Sequence, residues 1–384
     1  MRHTDAAPPA ATASLRVELV VSALDLAGLE MVVANLTRNL AASGHDVGVT
    51  CIQRRGELGE RLADEGYRVS LVPTPGIMTN FRPVELARAF RQRRPDVVHV
   101  HSGAWLKAAR AANACGIPTV YTLHGIWPDR PWFLPYYSRF AMRYTHTVVT
   151  VSDFLRSHLI EDVRLPTQRI RVIPNGIDTN AFSPGPRTGL VRQRFGLAEQ
   201  TVVIGTVARL HPVKNQALMV EAFARVHADW PDTALVFVGT GPLKDSLSAI
   251  AADLGIQDAV HFFGATADAP AVYRDLDIFC LSSITEGTSI SALESMASGV
   301  YVVLSAVGGN PRLLAGGTLG RLTDPPNDPG VLAAALLEGV RDGDLRRRTA
   351  ARARQAVVDH YSLDLSTARY VETYRDAVRE GLKR

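Results

Sequence analysis

Two cations, Arg209 and Lys214, lie five residues apart in VARLHPVKNQ (207–216), directly after an apolar run. A guanidinium fork and an ammonium at that spacing suit a diphosphate, because the fork engages two oxygens at once and the ammonium is a compact charge. The same pair also reads as two solvated charges in a loop stiffened by Pro212, with a helix starting near Asn215. A second constellation is TEGTSISALESMASG (285–299), where Glu286 and Glu294 are separated by seven residues. Glu286 precedes a helix that Thr288 or Ser289 can cap and Gly299 can end, and the free N–H groups at its start form an anion site. A carboxylate placed there accepts hydrogen bonds from sugar hydroxyls, and one inside the helix, such as Glu294, reaches a ribose. Ser291-x-x-Glu294 equally reads as an ordinary capping box.

Other candidates carry less chemistry each. Gly28, after the first apolar run, lets backbone come close to a phosphate at a helix start. Gly239 and Gly241 in VGTGPLKDSL (238–247) permit a tight turn beneath a nucleotide, without a full G-x-G-x-x-G pattern. Gly308 and Gly309 follow another apolar run. His124, ending YTLH, can face a ligand or be structural; His99 and His101 read as structural. The segment GIWPDRPWFLPYYSRF (125–140) carries Trp127, Trp132, Phe133, Tyr136 and Tyr137. These aromatics read equally as a platform for a sugar ring or lipid tail and as packing for their own loop. With GIMTNFRP (76–83), that segment is the expected acceptor side. Asp275-x-Asp277 and Asp342-x-Asp344 resemble metal-chelating pairs, but the first straddles the start of a buried strand and the second lies in an Arg-rich helical stretch. Neither is read as a metal site.

Short β-branched runs must position these residues. The first half offers 16–22, 45–52, 68–73, 96–102, 119–124, 147–152 and 170–175; the second offers 201–209, 233–241, 259–264, 277–283 and 299–305. They are nearly continuous in Val, Ile and Leu, which predicts strands buried on both faces, hence parallel sheets covered by helices. Segments with helical spacing lie between them, such as 30–44, which ends at Gly44. The alternation occurs twice and is broken by Asn-Gly and Pro-Gly punctuation at 173–189, so two doubly wound α/β domains are expected. Open sheets of this kind bind ligands beyond the carboxyl ends of their strands.

Composition agrees with a globular chain. The chain has 384 residues, 46% hydrophobic and 21% charged, which excludes a disordered or fibrous protein. No uncharged apolar run is long enough to span a bilayer. Residues 1–14, rich in Ala and Pro, read as a disordered leader. Net charge is +4, but residues 1–184 hold 21 Lys and Arg against 16 Asp and Glu. That bias favours an anionic membrane face or anionic substrate, or simply marks a solvated surface. No basic run is interleaved with aromatics, so nucleic acid is not an expected partner. Cys51, Cys115 and Cys280 stand far apart and read as reduced thiols of a cytoplasmic protein.

In order and spacing, these segments resemble the GT-B glycosyltransferases, most closely the retaining family 4 type. The resemblance runs from Leu15 to Leu382 and includes GLE (28–30), SGHDV, VVHVHS, TLHG, VSDFLRSHL, VIPNGID, R-x4-K, GTGPLKDSL, EGTSISALESMASG and VGGNP. It implies two Rossmann-like domains facing a cleft: an acceptor domain over 15–184, joined by a returning C-terminal helix at 366–384, and a donor domain over 185–365. It implies that Arg209 and Lys214 hold the donor's diphosphate, that Glu286 binds the donor sugar, and that Glu294 binds the ribose. Gly28 would approach the phosphates, His124 would contact the transferred sugar, and Ile290 and Ser291 would offer backbone N–H groups. The expected donor is a nucleotide sugar such as a UDP- or GDP-sugar, with no further cofactor and no metal. The expected acceptor is a glycan or lipid-linked molecule, with a possible peripheral contact to the inner membrane face; a small-molecule acceptor is the alternative. An epimerase or a phosphorylase of the same fold, and a non-enzymatic sugar-binding subunit, are competing classes. Arg312 stands where the family pattern places an acidic residue, and SGVYVV where a Gly-x-Pro is commoner.

Overall fold

The computed structural model describes residues 13–25, 28–126 and 132–381. The runs expected to be strands are strands. They are β1 (Arg16–Val21), β2 (Asp46–Cys51), β3 (Arg68–Leu71), β4 (Val97–His101), β5 (Thr119–Leu123), β6 (Thr147–Thr150) and β7 (Ile170–Val172). The second half supplies β8 (Val202–Val207), β9 (Thr233–Val238), β10 (Val260–Gly264), β11 (Ile278–Leu281), β12 (Tyr301–Ser305) and β13 (Arg321–Thr323). The last was not expected. Its three residues, Arg-Leu-Thr, lie at a sheet edge and leave Arg321 exposed, so they carry too little apolar pattern to stand out.

The first sheet runs β3-β2-β1-β4-β5-β6-β7 and the second β10-β9-β8-β11-β12-β13. Both are parallel sheets wound outward in two directions from a central pair, β1 and β4 in one, β8 and β11 in the other. Every residue of β4, β9 and β12 is buried, as the unbroken Val-rich runs require. The second sheet carries apolar packing on both faces. Ile204, Phe237, Cys280 and Val303 lie in one cluster with Phe223 and Leu336; Val203, Val236, Phe279 and Val302 lie in another with Leu293 and Met296.

By contacts the chain divides into residues 1–122 with 136–148 and 371–384, and residues 123–135 with 149–370. The final helix, Leu363–Gly381, brings Tyr374 into the first of these units. There its hydroxyl is hydrogen-bonded to His99 Nδ1 at 2.6 Å, while Nε2 of the same ring meets Thr122 Oγ1 at 2.7 Å. His99 is therefore a buried structural residue, with the ring of His101 tilted 44° to it at a centroid distance of 4.0 Å.

The two Asp-x-Asp pairs serve the backbone. Asp275 accepts the N–H groups of Thr188, Gly189 and Val191, and Asp277 accepts from Arg187, Arg192 and the Val203 N–H. Together they fasten residues 187–192 to the edge of the second sheet's core. Asp342 caps the helix Gly343–Tyr361 through the Leu345 N–H, and Asp344 pairs with Arg347. Arg312, the departure from the family pattern, pairs with Asp153 at the start of the helix Asp153–Glu161.

Candidate functional site

The strongest constellation forms beyond the carboxyl ends of β8 and β11, where the winding of the second sheet changes direction. Helices on either side of such a point diverge, so the loops leaving the two strands enclose a crevice. The loop after β8 carries Arg209 and Lys214; the loop after β11 carries Glu286. Lys214 Nζ lies 2.5 Å from Glu286 Oε1, and the Ser283 hydroxyl donates to the same oxygen at 2.6 Å. Sequence reasoning named the lysine and the glutamate separately; the fold makes them a pair.

Backbone contacts hold the loops in register. The Ser282 hydroxyl donates to the carbonyl oxygens of Lys214 and Asn215, the Ile284 N–H donates to Val213, and the Gln216 amide donates to the Arg209 carbonyl. Ser282, Ser283 and Gln216 are buried. Sequence reasoning missed them because neutral residues have no spacing signature. The two serines' only signal is their place at the end of an apolar run, and Gln216 is marked only by opening the helix Gln216–Asp229.

The glycines set how closely the loop backbones pack. A Cβ on Gly239 would stand 2.1 Å from the Ala208 carbonyl oxygen, and one on Gly241 would stand 2.2 Å from that of Leu210. These two glycines let the 238–243 turn lie against the backbone that presents Arg209. Gly308 and Gly309 do the same for the acidic loop. Their Cβ atoms would stand 1.8 Å from the Glu286 carbonyl oxygen and 2.0 Å from that of Gly287. Gly308 also has φ of 54°, a left-handed conformation suited to glycine. By contrast, a Cβ on Gly28, at the start of the helix Gly28–Ala42, meets nothing within 4 Å.

The helix Ile290–Ala297 starts as expected. Ser289 is its cap and accepts the Ala292 N–H, while the Thr288 hydroxyl donates to the Val151 carbonyl oxygen at 2.7 Å. Ile290 packs partly into the core, and the Ser291 hydroxyl lies 3.4 Å from that of Ser289. The capping-box alternative fails, because with Ser289 as cap Ser291 is already inside the helix. Glu294 instead accepts a hydrogen bond from the buried Tyr273 hydroxyl at 2.8 Å. Desolvation pushes its carboxyl up to about 7, an effect the tyrosine's hydrogen bond only partly offsets.

His124 follows β5, half-buried, and desolvation pushes its imidazole down to about 4. Near neutral pH the ring is uncharged. Its carbonyl oxygen would lie 2.6 Å from a Cβ on Gly287, so His124 borders the acidic loop. Arg209 stands exposed at the head of its loop, with no ion pair among the described residues. Trp132 is 83% exposed and meets Phe133 edge-on, and Tyr136 is 63% exposed. Tyr137 is half-buried and accepts the Leu106 N–H, so it belongs to packing. Trp127 lies outside the described residues.

An ammonium beside a carboxylate, with a capped helix start behind them, can receive an anion and hydroxyls together. Comparison with known proteins gives this arrangement its context. The family model described as Glycosyltransferase Family 4 matches residues 26–181, and that described as Glycosyl transferases group 1 matches residues 189–356. A GDP-mannose-dependent alpha-(1-6)-phosphatidylinositol monomannoside mannosyltransferase of Mycolicibacterium smegmatis is 31% identical over 77% of this chain and 80% of its own. A D-inositol 3-phosphate glycosyltransferase of Acidothermus cellulolyticus is 30% identical over 93% of this chain and 87% of its own. Among solved structures, Anabaena HepE in complex with UDP and glucose superposes with a TM-score of 0.84, at 22% identity, over 94% of this chain and all of that one.

Proposed function

The chain belongs to the family 4, group 1 glycosyltransferases of GT-B fold, and from that membership we propose a retaining, metal-independent hexosyltransferase. It moves a hexosyl or N-acetylhexosaminyl group from a nucleoside-diphosphate sugar to a glycan, glycolipid or polysaccharide precursor. The observation that carries this function is the Lys214–Glu286 pair at the switch point of the second sheet.

Each residue then has a role its surroundings support. Breaking the glycosyl–phosphate bond develops negative charge on the departing diphosphate and positive charge at the anomeric carbon. Lys214, oriented by Glu286, and the exposed Arg209 stabilise that diphosphate, with the N–H groups at the start of the 290–297 helix adding to the field. Glu286 retains lone pairs for sugar hydroxyls while holding Lys214 and Ser283. Glu294, fixed by Tyr273, accepts from the ribose, and neutral His124 offers a hydrogen bond to the transferred sugar. The acceptor oxygen bonds to the anomeric carbon on the face the diphosphate leaves, and its proton passes to a departing phosphate oxygen. No protein nucleophile is needed, and the glutamates act as binders rather than as a glycosidase pair. Metal independence is supported by Asp275 and Asp277, whose carboxylates are taken up by backbone N–H groups and arginines.

A UDP- or GDP-sugar donor is supported by the UDP in the HepE structure and by the GDP-mannose in the mycobacterial relative's name. That relative's phosphatidylinositol monomannoside supports a lipid-linked acceptor; the Acidothermus relative supports a small phosphorylated one. A cytoplasmic setting is supported by three free cysteines, with Cys51 buried and its thiol pushed up to about 12. Among the described residues no helix is long and apolar enough to cross a membrane.

The decisive experiment incubates the enzyme with UDP- and GDP-sugars, follows nucleoside diphosphate release with and without EDTA, and reads the product's anomeric configuration by NMR. Release that survives EDTA, with retained configuration, is expected. Inversion, loss of turnover in EDTA, or phosphate-dependent sugar-1-phosphate release would overturn the assignment.

A further inference from the structure

The second unit holds a cavity that the transfer chemistry does not use. Its volume is about 320 Å³, within the range of small-ligand pockets. It lies where the helix Asp153–Glu161 starts and the helix Gly343–Tyr361 ends. Thr288 and Gly309 belong to its wall. Glu286 turns its carboxylate to Lys214 and its carbonyl oxygen to the Gly309 N–H, at 3.2 Å. The backbone of 286–288 therefore stands between this cavity and the crevice that holds Lys214.

The polar lining is cationic. Arg312 and Arg369 face a single carboxylate, Asp153, which leaves an excess of one positive charge before His360 is counted. Arg312 meets Asp153 through Nη1, and its side chain is 72% exposed, so the rest of its five-donor fork is accessible. Burial pushes the Tyr361 phenol up, while the charges of Arg312 and Arg369 pull it down, so both guanidinium groups act on that hydroxyl. Ser152 accepts the Leu155 N–H at 3.3 Å as helix cap, which leaves its own O–H to donate. The helix start adds the positive end of a dipole. Val151, Val172 and Leu313 supply the apolar part of the lining.

We propose that this cavity is a second ligand site, taking a small phosphate monoester. The phosphate meets the forks of Arg312 and Arg369 and the hydroxyls of Ser152 and Tyr361, and the carbon part of the ester lies on the apolar lining. Arginine suits this head group because its planar fork engages two phosphate oxygens at once. A phosphate also has oxygens enough to accept from donors on several sides, as donors from four different segments of the chain require. Binding here needs no nucleotide sugar and is read without turnover, so its failure would leave the glycosyl-transfer reading untouched.

The full chain is titrated with phenyl phosphate, and separately with inorganic phosphate, by isothermal titration calorimetry near neutral pH. Saturable binding of phenyl phosphate is expected, about fivefold or more tighter than inorganic phosphate because the ring adds apolar contact. Arg369→Gln should weaken it by about tenfold, and Arg312→Glu, which turns the excess charge negative, by more. Lys214→Ala should keep this binding. Arg312 is exposed, so Arg312→Glu should unfold at nearly the parent temperature and serves as the test even where Arg369→Gln fails to fold. Four outcomes overturn the proposal: no saturable binding at millimolar phenyl phosphate, an affinity no better than that of inorganic phosphate, equal binding by parent and Arg312→Glu, or loss of binding in Lys214→Ala, which would put the phosphate in the other crevice.

Discussion

The loops of the second sheet and the loops of the first unit are built on opposite plans. Around Lys214 and Glu286, four loops converge, and nearly every contact that holds them is made by backbone or by a small buried hydroxyl. Glycines bring carbonyl oxygens where no side chain would fit. Around Phe81 and Tyr136 the contacts are long side chains on the surface: an arginine fork, aromatic rings, exposed aliphatics. In the proposed reaction the diphosphate and ribose are the same for every turnover, so a rigid frame would meet them at fixed distances. A surface of exposed side chains can vary in sequence without disturbing the frame that carries it.

The contrast can be broken most severely at Lys214. Replacing it with alanine removes one preorganised charge and should lower kcat by about 10²–10³. Glu286→Gln, which keeps the shape but loses the charge that orients the lysine, should fall in the same range. Both should unfold at nearly the parent temperature; turnover equal to the parent in either would dismiss the pair as the donor clamp.

Gly308→Ala tests the frame itself. The added methyl meets the Glu286 carbonyl oxygen and the backbone is left-handed, so a loss of roughly 1–3 kcal/mol in stability is expected, with a larger relative loss of turnover. Gly28→Ala is the counterpart. Its Cβ has open space, so stability should hold, and a donor KM raised by about fivefold would show that the glycine admits phosphate.

Glu294 links the frame to pH. Its carboxyl titrates near 7 in the folded protein, above the usual 4.5. Folding is therefore most favoured while the group is protonated; that contribution is fully present below about 4.5 and is lost as pH rises through about 7. Ribose hydroxyls favour the ionised form, so donor KM should fall as pH rises through about 7 and level off above it. In Glu294→Gln the dependence should vanish; a parent profile flat across neutrality would remove the ribose role. The smallest effect is expected at Arg312. Its pair with Asp153 is 72% and 39% exposed, so Arg312→Glu should cost about 1 kcal/mol or less in urea unfolding.

Much of this organisation was legible beforehand. Parallel strands buried on both faces must be almost wholly apolar, and such runs stand out. The caps at Ser289 and Gly44 were legible because few residue types stabilise a helix end. β13 was not, since an edge strand of three residues needs no apolar pattern. Ser282, Ser283 and Tyr273 were also silent, because a neutral hydroxyl gains its meaning from the atom it faces. The paired glycines were visible as residues but not as supports, since what they approach lies 22 to 31 positions away in the chain.

Taken alone, the amino-acid order determined the strand and helix runs, the doubly wound class and the charged residues at strand ends, because these depend on local periodicity and on side-chain chemistry. Only the tertiary structure decided that Lys214 meets Glu286 through an oxygen shared with Ser283, that Glu294 turns to Tyr273, and that Arg110 joins the Phe81 carbonyl to the Tyr144 hydroxyl. Each of these joins residues far apart in sequence. Their contact is set by how whole sheets and helices pack, and no short stretch of chain encodes that.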